Sequence, residues 1–443
     1  MPHPSPLLSP PANGNGANYE VGAAPSTRPG IDLGTNLTWL VSRTVRFAPM
    51  WLLAVWACVI GSTPWIGDDI ANRFIRVVMP TPGLLWGTIV KETRSWMDLQ
   101  GRFFPGSVAW TRTLLWLVNT RVAYKLVLVA LMAFAVLAVA LLARRITRSA
   151  GVAAVTVVLF GSLLTLRILV DPVAGFTGLI TLTTGLTVAA TWLLIVAKRW
   201  WWGIVAALAY AAALVTYETV ILFAPVMIAV VLFERRRWPW TLPVIIPAAL
   251  QTIIVLVLRS RLTTTSAPAY TLNLDPGAVA STLVRQMTAA LPGTQWLGHA
   301  RAIPPFTKAN VAVALVVVAV PVFLAIYHFV VRRHDVSWAR IGMVGGFGAW
   351  MWFAPSVQVA ITTRWQTELY PGEGYLPVGY AYFGVALLCA AALLALDRLL
   401  VARGDSTGAR RATAVAAGVV VAISAVVSLA GSLGVAATYA PNF

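Results

Sequence analysis

The chain has 443 residues, of which 59% are hydrophobic and only 11% are charged, and its mean hydropathy is +0.79. A soluble domain carries about 25% charged residues, so this composition excludes an ordinary soluble protein. Lys and Arg number 33 against 15 Asp and Glu, which gives a net charge of +18. Because the basic residues fall mostly in short clusters between apolar runs, they follow the positive-inside pattern of membrane proteins and do not indicate nucleic acid binding.

Apolar runs recur along the chain at the length that a transmembrane helix needs, roughly 20 residues. The first run covers about residues 47–66 and follows Arg43 and Arg46, which predicts a cytoplasmic N-terminus. Residues 1–35 are rich in Pro, Gly, Asn and Ser and form a predicted disordered cytoplasmic tail, and residues 36–443 form the predicted transmembrane domain. The later runs lie near residues 125–142, 151–169, 178–197, 203–233, 241–258, 310–331, 341–360, 377–397 and 413–435.

The run over residues 203–233 lies between two basic clusters, Lys198–Arg199 and Arg235–Arg237, which both favour the cytoplasmic side. An even number of crossings must separate these clusters, so we predict two short helices that turn outward at Thr216–Thr219. Glu218 lies in this turn, and a position near the outer surface avoids the cost of about 2.5–3.5 kcal/mol for a carboxylate at the bilayer centre. The predicted fold is an all-α polytopic membrane protein with about eleven transmembrane helices.

Two long segments lie on the outer side in this topology, residues 67–123 and 259–309, together with a shorter outer loop, residues 361–376. Most of the carboxylates lie on the same side. One helical face of the first segment is apolar, which predicts an amphipathic helix along the outer membrane surface, with Ser107 as its N-cap. The residues of this face are Trp110, Leu114, Leu117 and Val118.

Two adjacent carboxylates, Asp68 and Asp69, directly follow the first apolar run. Their mutual repulsion should raise the pKa of at least one of them, and a carboxylate with a raised pKa is a serviceable general base. Arg73 follows about one helical turn later. The alternative interpretation is an acidic N-cap for a short helix, a position at which Asp is favoured.

The first outer segment also contains a group of aromatic and turn-forming residues around Arg102, within Trp96–Gly106. A guanidinium group binds phosphate oxygens through two parallel hydrogen bonds, and aromatic faces suit sugar rings. The group therefore indicates a ligand site. Because Trp and Arg also collect at the headgroup level of membranes, an interfacial anchor is the alternative interpretation.

The predicted outer loop 361–376 is similarly rich in polar and aromatic residues, among which Arg364, Glu373 and Tyr375 are candidates for ligand contact. A solvated anchor is the alternative for this loop. Glu218 is a further candidate, because it lies between two unusually short predicted helices.

Several enzyme signatures are absent from the sequence. It contains no GxxxxGK[ST] phosphate loop, no HExxH and no GxSxG motif. Its two cysteines lie inside apolar runs and its four histidines show no ligand spacing, so a His–Cys metal site is not expected. With no nucleotide-binding motif, the substrate is expected to arrive through the membrane or from outside.

The order of these features resembles the GT-C class of integral membrane glycosyltransferases. Members share a cytoplasmic N-terminus, one span, an Asp-Asp pair directly after it, a long first outer loop with surface helices and many further spans. Asp68–Asp69 with Arg73, followed by Gly101–Phe104 and by Tyr375–Pro377, is similar to the O-antigen glucosyltransferase type. The Asp-Asp pair is also similar to that of actinobacterial arabinosyl- and mannosyltransferases.

The resemblance implies a GT-C-like bundle that transfers a sugar from a polyprenyl-phosphate carrier to a cell-envelope glycan or glycolipid acceptor, on the outer face of a bacterial plasma membrane. It assigns the general base to Asp68 or, less readily, Asp69, with inversion at the anomeric carbon, and the phosphate contacts to Arg102 and Arg364. Some members bind a divalent cation with such carboxylates and others need none, so a metal cofactor stays open. The remaining candidates for substrate binding are Arg73, Glu218, Glu373 and Tyr375.

Two other classes of protein fit part of this pattern. A transporter or lipid flippase would also be polytopic, but it should show two similar halves and charges near the middle of its spans. The sequence contains no convincing repeat, and its carboxylates lie mostly at one face. A non-catalytic membrane partner in envelope assembly is the other alternative, and a transfer assay with polyprenyl-phosphate donors separates it from an enzyme.

Overall fold

The structure is a computed structural model that describes residues 33–168, 170–262, 271–296, 304–404 and 406–439, with side chains from Val45 onwards. Residues 41–443 form one compact unit, and the helix residues before them belong to a separate N-terminal unit. The predicted tail, residues 1–35, lies outside the described residues except for its last three, which are helical.

The described residues form α-helices joined by short loops, and they contain no β-strand. In chain order the helices are α1 Leu33–Ser62, α2 Asp68–Asn72, α3 Ile75–Val78, α4 Pro82–Gln100, α5 Pro105–Leu117, α6 Arg121–Thr147, α7 Ala150–Leu163, α8 Leu179–Val196, α9 Trp201–Thr216, α10 Ala224–Arg235, α11 Leu242–Ser260, α12 Pro276–Thr288, α13 Lys308–Ala314, α14 Val320–Val331, α15 Trp338–Ala360, α16 Thr363–Glu368, α17 Val378–Ala402 and α18 Thr407–Tyr439. A π-helical turn, Leu315–Ala319, joins α13 to α14.

Seven helical segments among the described residues are long and apolar enough to cross a membrane, which confirms the multi-pass helical architecture. They are Val45–Ser62, Arg121–Thr147, Phe176–Val196, Trp238–Ser260, Lys308–Val331, Val378–Ala402 and Thr407–Thr438. The apolar helices α7 and α9 have only 14 and 16 residues, which at about 1.5 Å per residue is shorter than a hydrocarbon core of about 30 Å. Length and composition therefore do not establish the predicted total of about eleven crossings.

Buried ion pairs show which helix ends lie together at one end of the bundle, which we call the basic end. Glu234, in the last turn of α10, has its carboxylate 3.6 Å from a guanidinium nitrogen of Arg145, near the end of α6, and 3.3 Å from one of Arg340, at the start of α15. Arg410, at the start of α18, donates a hydrogen bond of 2.6 Å to Asp397, near the end of α17. Helices α6, α10 and α17 therefore run towards the basic end, and α15 and α18 run away from it.

The opposite end, which we call the aspartate end, contains Asp69. Tyr124, in the first turn of α6, donates a hydrogen bond of 2.5 Å to the carboxylate of Asp69. Arg167, which follows α7, donates one of 3.2 Å to the hydroxyl of Tyr382 near the start of α17. The loops that follow α1 and α7, and those that precede α6 and α17, thus meet at this end.

The apolar run 203–233 is broken at Tyr217, whose backbone is extended with φ −150° and ψ 110°. Beyond the break, Arg235 at the end of α10 donates hydrogen bonds to the carbonyl oxygens of Leu194 and Ala197, at the end of α8. Because α9 starts directly after α8, α10 returns to the end from which α9 began. The break therefore lies where we predicted it from the even number of crossings between the two basic clusters. That it faces the outside of the cell stays a prediction.

The predicted outer segments contain further short helices. Helix α5 begins at Pro105, so Ser107 lies within its first turn and is not its N-cap. On its predicted apolar face, Leu114 is buried whereas Leu117 is exposed, so part of this face packs against the protein. The segment 259–309 contains α12, with residues 263–270 and 297–303 outside the described residues, and 361–376 contains α16.

The two ends of the bundle should be accessible from opposite sides of the membrane. In a variant whose Cys58 and Cys389 are replaced by Ala, we expect a cysteine at exposed Leu274, in the loop that packs beside α16, to react with a membrane-impermeant maleimide in intact cells. A cysteine at exposed Arg199, between α8 and α9, should react only after permeabilisation. Reaction of both positions in intact cells would contradict the alternation of helix ends, and the reversed pattern would invert the predicted orientation.

Candidate functional site

The Asp68–Asp69 pair forms the first turn of α2, shortly after the end of α1. The preceding Gly67 has φ 58°, a left-handed conformation that glycine adopts at little cost. Asp69 is 1% exposed, whereas Asp68 is exposed. The two adjacent carboxylates therefore have different surroundings.

Asp69 belongs to a buried hydrogen-bond network. The Tyr124 hydroxyl donates to Oδ2 of Asp69 at 2.5 Å, and the backbone N–H of Thr177 donates to the same Tyr124 oxygen at 3.1 Å. Burial raises the pKa of Asp69 from 3.8 to about 6, while the hydrogen bond from Tyr124 and the charge of Lys125 lower it. A raised pKa is thus present as predicted, but its main cause is burial, and repulsion from Asp68 contributes least.

A second buried network lies nearby, between the segment after α7 and the loop before α17. The carboxylate of Asp171 accepts hydrogen bonds from the backbone N–H groups of Arg167, at 2.6 Å, and Val173, at 2.8 Å. The Arg167 guanidinium donates to the Tyr382 hydroxyl and to the carbonyl oxygen of Gly372. Although burial raises the pKa of Asp171, its role is structural, because it holds the arginine that anchors the loop 361–376.

A cavity of about 600 Å³ opens at the aspartate end. On its wall, Nε of Arg102 donates a hydrogen bond of 2.7 Å to Oε1 of Glu218, and both side chains are largely buried. The guanidinium carbon of Arg102 lies 4.5 Å from the centre of the Phe104 ring, a cation–π contact that orients the group. The turn between α4 and α5 is thereby tied to the break between α9 and α10.

Aromatic side chains form another wall of this cavity. The rings of Trp365 and Tyr375 stack with their centres 3.7 Å apart, and both residues line the cavity. The buried Gln286 of α12 holds the backbone of Tyr375, because its side chain accepts from the Tyr375 N–H at 2.8 Å and donates to the Tyr375 carbonyl at 3.2 Å. This wall is therefore positioned by hydrogen bonds as well as by stacking.

Arg102, Glu218 and Tyr375 line one cavity although they are far apart in the sequence. Residues of the predicted outer segments 67–123 and 361–376 therefore meet at this cavity. Asp68 and Asp69 belong to the same end of the bundle but do not line this cavity.

Three further candidates from the sequence also lie outside the cavity lining. Nε of Arg364 lies 3.0 Å from a carboxylate oxygen of Glu368, one turn later in α16. The guanidinium carbon of Arg73 lies 4.6 Å from the centre of the Phe74 ring. Glu373 lies in a turn between two glycines with positive φ. None of these three residues lines this cavity.

Helix α5 connects the cavity with the aspartate pair. At its start, Gly106 packs so closely on the end of α9 that a Cβ atom would lie 2.9 Å from the carbonyl oxygen of Val215. Further along the helix, Nε1 of Trp110 donates a hydrogen bond of 2.8 Å to the carbonyl oxygen of Thr177, the residue that also binds Tyr124. One helix thus contacts both parts of the site.

Arg259 lines the cavity and was not among the sequence candidates. The sequence could have indicated it. Basic residues collect on the cytoplasmic side, whereas Arg259 follows an apolar run at its predicted outer end and is therefore an exception to this rule. Its side chain is exposed, and the described part of the chain provides it with no hydrogen bond or ion pair. A cation at this position can receive an anionic group from outside the protein.

Three buried acceptor oxygens on the cavity wall have no hydrogen-bond partner within the described ranges. They are Oε1 of Gln100, Oε2 of Glu218 and Oε1 of Gln358. Buried polar atoms in folded proteins nearly always have a partner. Because their side chains line the cavity, these residues are the candidate acceptors for a ligand that carries hydroxyl donors. Neither glutamine was recognisable from sequence.

The described residues contain no group of three or more His, Cys, Asp or Glu side chains that could hold a metal ion. A scan against protein-family models, a search of curated proteins and a search of solved structures each gave no match. The resemblance to GT-C enzymes thus rests on the residues quoted above.

The pKa of Asp69 predicts how stability depends on pH. Because this pKa is about 6 in the folded protein and 3.8 without the protein environment, the folded state binds more protons between these values, so the contribution of Asp69 to stability falls as the pH rises from about 4 to about 6. The full change is on the order of 3 kcal/mol. Asp69→Asn should remove this pH-dependent contribution. The unfolding temperature of the variant, followed by tryptophan fluorescence, should therefore fall less between about pH 4 and about pH 6 than that of the wild type.

The matched control is Asp98→Asn, which changes an exposed carboxylate of the same outer segment and should keep the pH dependence of the wild type. An Asp69→Asn variant with the full pH dependence of the wild type would contradict the assignment.

Proposed function

We propose that the chain is an inverting glycosyltransferase of the GT-C class, which moves a sugar from a polyprenyl-phosphate carrier to a cell-envelope glycan or glycolipid. In this proposal the aspartate end faces the outside of a bacterial plasma membrane and the N-terminus is cytoplasmic. Helix α15 and the shorter helices α7, α9 and α10 also cross, which with the seven segments named above gives about eleven crossings.

The observation that carries the proposal is the composition of the cavity at the aspartate end. It combines the guanidinium groups of Arg102 and Arg259, the stacked rings of Trp365 and Tyr375, and the three acceptor oxygens without partners. The guanidinium groups bind a phosphate, a sugar ring packs on the aromatic rings, and sugar hydroxyls donate hydrogen bonds to the acceptor oxygens. Together these are the contacts that a lipid-linked sugar phosphate requires.

The proposed division of roles follows from the charges. Arg102 is already neutralised by Glu218 at 2.7 Å, so its guanidinium orients the phosphate without attracting it strongly. Arg259 is exposed and supplies the attracting charge. The carrier chain would leave the cavity towards the lipid, along the apolar helices.

Asp68 is the proposed general base, because its carboxylate is exposed whereas that of Asp69 is buried and bound by Tyr124. Asp68 accepts the proton of the acceptor hydroxyl as the acceptor oxygen attacks the anomeric carbon. The bond from that carbon to the phosphate oxygen breaks, and the polyprenyl phosphate leaves with the electron pair. Attack from the face opposite the phosphate inverts the configuration. Asp69 positions its neighbour from within the core.

Asp68→Asn keeps the shape of the side chain but removes its basicity. General-base assistance contributes about 10²–10⁴-fold to rate, so we expect transfer to fall by a factor in this range, with yield and membrane insertion close to the wild type. Asp69→Asn should reduce transfer less. The measurement uses the purified full chain in proteoliposomes, with polyprenyl-phosphate-linked glucose, mannose or arabinose as donor and an envelope glycolipid fraction as acceptor.

If the pair were only a helix cap, both variants should be mild, because Asn caps a helix about as well as Asp. Full activity in both would exclude the pair as the base and leave Glu218, tested as Glu218→Gln, or Glu373 as the next candidate. Asp98→Asn is the control for the loss of an exposed carboxylate in the same segment. Export of the donor without transfer to the acceptor would instead support a transporter or flippase.

The phosphate contact can be tested separately at Arg102. Arg102→Ala should weaken donor use by about tenfold or more, because a hydrogen bond to a charged group is worth about 1.5–3 kcal/mol. Arg102→Lys should recover only part of it, because an ammonium group lacks the planar pair of donors. The measurement is the donor concentration dependence of transfer, with Arg94→Ala, on an exposed position of α4, as control. Equal effects of Arg102→Ala and Arg94→Ala would contradict the assignment.

A further inference from the structure

A second cavity, also of about 600 Å³, lies at the basic end, opposite the site described above. It is bordered by the turn between α6 and α7 and by the turn between α14 and α15. Its lining contains four arginines and one carboxylate, that of Asp335. The arginines are Arg148, Arg333, Arg340 and Arg398. The positive-inside rule accounts for basic residues at one side of a membrane, but it does not require them to converge on one cavity.

The protein holds Arg340 and Arg398 in place. Arg340 lies 3.3 Å from the buried carboxylate of Glu234. Nε of Arg398 donates a hydrogen bond of 2.7 Å to the carbonyl oxygen of Val336, and its Nη2 donates one of 3.1 Å to Asp335. The guanidinium groups on this wall are therefore positioned before any ligand arrives.

The described carboxylates near the cavity do not cancel its positive charge. Glu234 is shared between Arg145 and Arg340, and Asp397 is paired with Arg410, which does not line the cavity. Asp335 is fully exposed, so water screens its charge. Over the described residues the cavity thus carries more basic than acidic side chains, and Arg148 and Arg333 are exposed residues of its lining.

Two helices begin at this cavity and add to its positive potential. Ala150, the first residue of α7, and Ser337, the N-cap of α15, both line it. The hydroxyl of Ser337 makes no capping hydrogen bond, and a helix N-terminus attracts anions through its N–H groups. The adjacent Trp338 is exposed, as is typical of tryptophans at the headgroup level.

We propose that this cavity binds a phosphate group, supplied either by an anionic lipid headgroup or by free phosphate on the cytoplasmic side. Guanidinium groups match phosphate oxygens with planar pairs of hydrogen bonds. Basic pockets between transmembrane helices on the cytoplasmic side are typical sites for anionic headgroups. This site is independent of the proposed glycosyl transfer and lies at the other end of the bundle.

The test uses the full chain in nanodiscs and follows its unfolding temperature by tryptophan fluorescence. In one arm, inorganic phosphate is added to phosphatidylcholine nanodiscs at constant ionic strength. In the other arm, phosphatidylglycerol replaces part of the phosphatidylcholine. A ligand that binds the folded state raises this temperature, so we expect a rise in at least one arm. A rise with phosphatidylglycerol alone identifies a lipid source, and a rise with phosphate alone identifies a soluble one.

The diagnostic variant carries both Arg148→Gln and Arg333→Gln. In the phosphate arm it should need about tenfold or more phosphate for the same rise, and in the lipid arm it should lose most of the shift. The control carries both Arg144→Gln and Arg199→Gln, which remove the same charge from exposed positions at the same end without touching the cavity. The proposal is overturned if the wild type responds in neither arm, or if the control loses as much of the response as the diagnostic variant.

Discussion

The ion pair between Arg102 and Glu218 joins the two parts of the chain on which the aspartate-end cavity depends. Glu218 lies at the break between α9 and α10, and Arg102 lies in the turn between α4 and α5. Removing one partner of a buried pair leaves an uncompensated charge and costs about 3–5 kcal/mol, so the break and the turn stabilise each other's position. The pair also explains how a carboxylate can lie between two apolar helices, because a cation neutralises its charge and its side chain lines an open cavity.

The two aspartates show how neighbouring identical residues acquire different properties. Successive side chains of a helix point about 100° apart, so when Asp69 faces Tyr124 in the core, Asp68 faces away from it. The buried carboxylate is held by a hydroxyl that is itself held by the backbone of Thr177. Because Thr177 also accepts a hydrogen bond from α5, the helix that starts at the cavity, the position of the aspartate pair is coupled to that of the cavity wall.

Sequence reasoning could predict the features that hydropathy and charge determine directly. The break at Thr216–Thr219 followed from the parity of the basic clusters, and Arg102, Glu218 and Tyr375 were each candidates as polar residues near the ends of apolar runs. That these three residues line one cavity is a result of the structure. Burial of Asp69 could not be predicted, because it depends on a tyrosine from α6, more than fifty residues later. The start of α1 at Leu33 could not be predicted either, because the first turns of this helix are too polar to be recognised as part of a transmembrane span.

Between its two ends the bundle is closed by small residues. Helices α15 and α17 approach so closely at Gly348 and Gly384 that a Cβ atom on either would lie 2.6 Å from the carbonyl oxygen of the other, a distance only glycine permits. At the basic end, Glu234 and Asp397 bind arginines from neighbouring helices. Charges thus hold the ends while close backbone contacts hold the middle, so the walls of both cavities are formed before a ligand binds. Preformed walls reduce the entropy cost of ordering the protein, and more of the interaction energy is then available to orient the bound group.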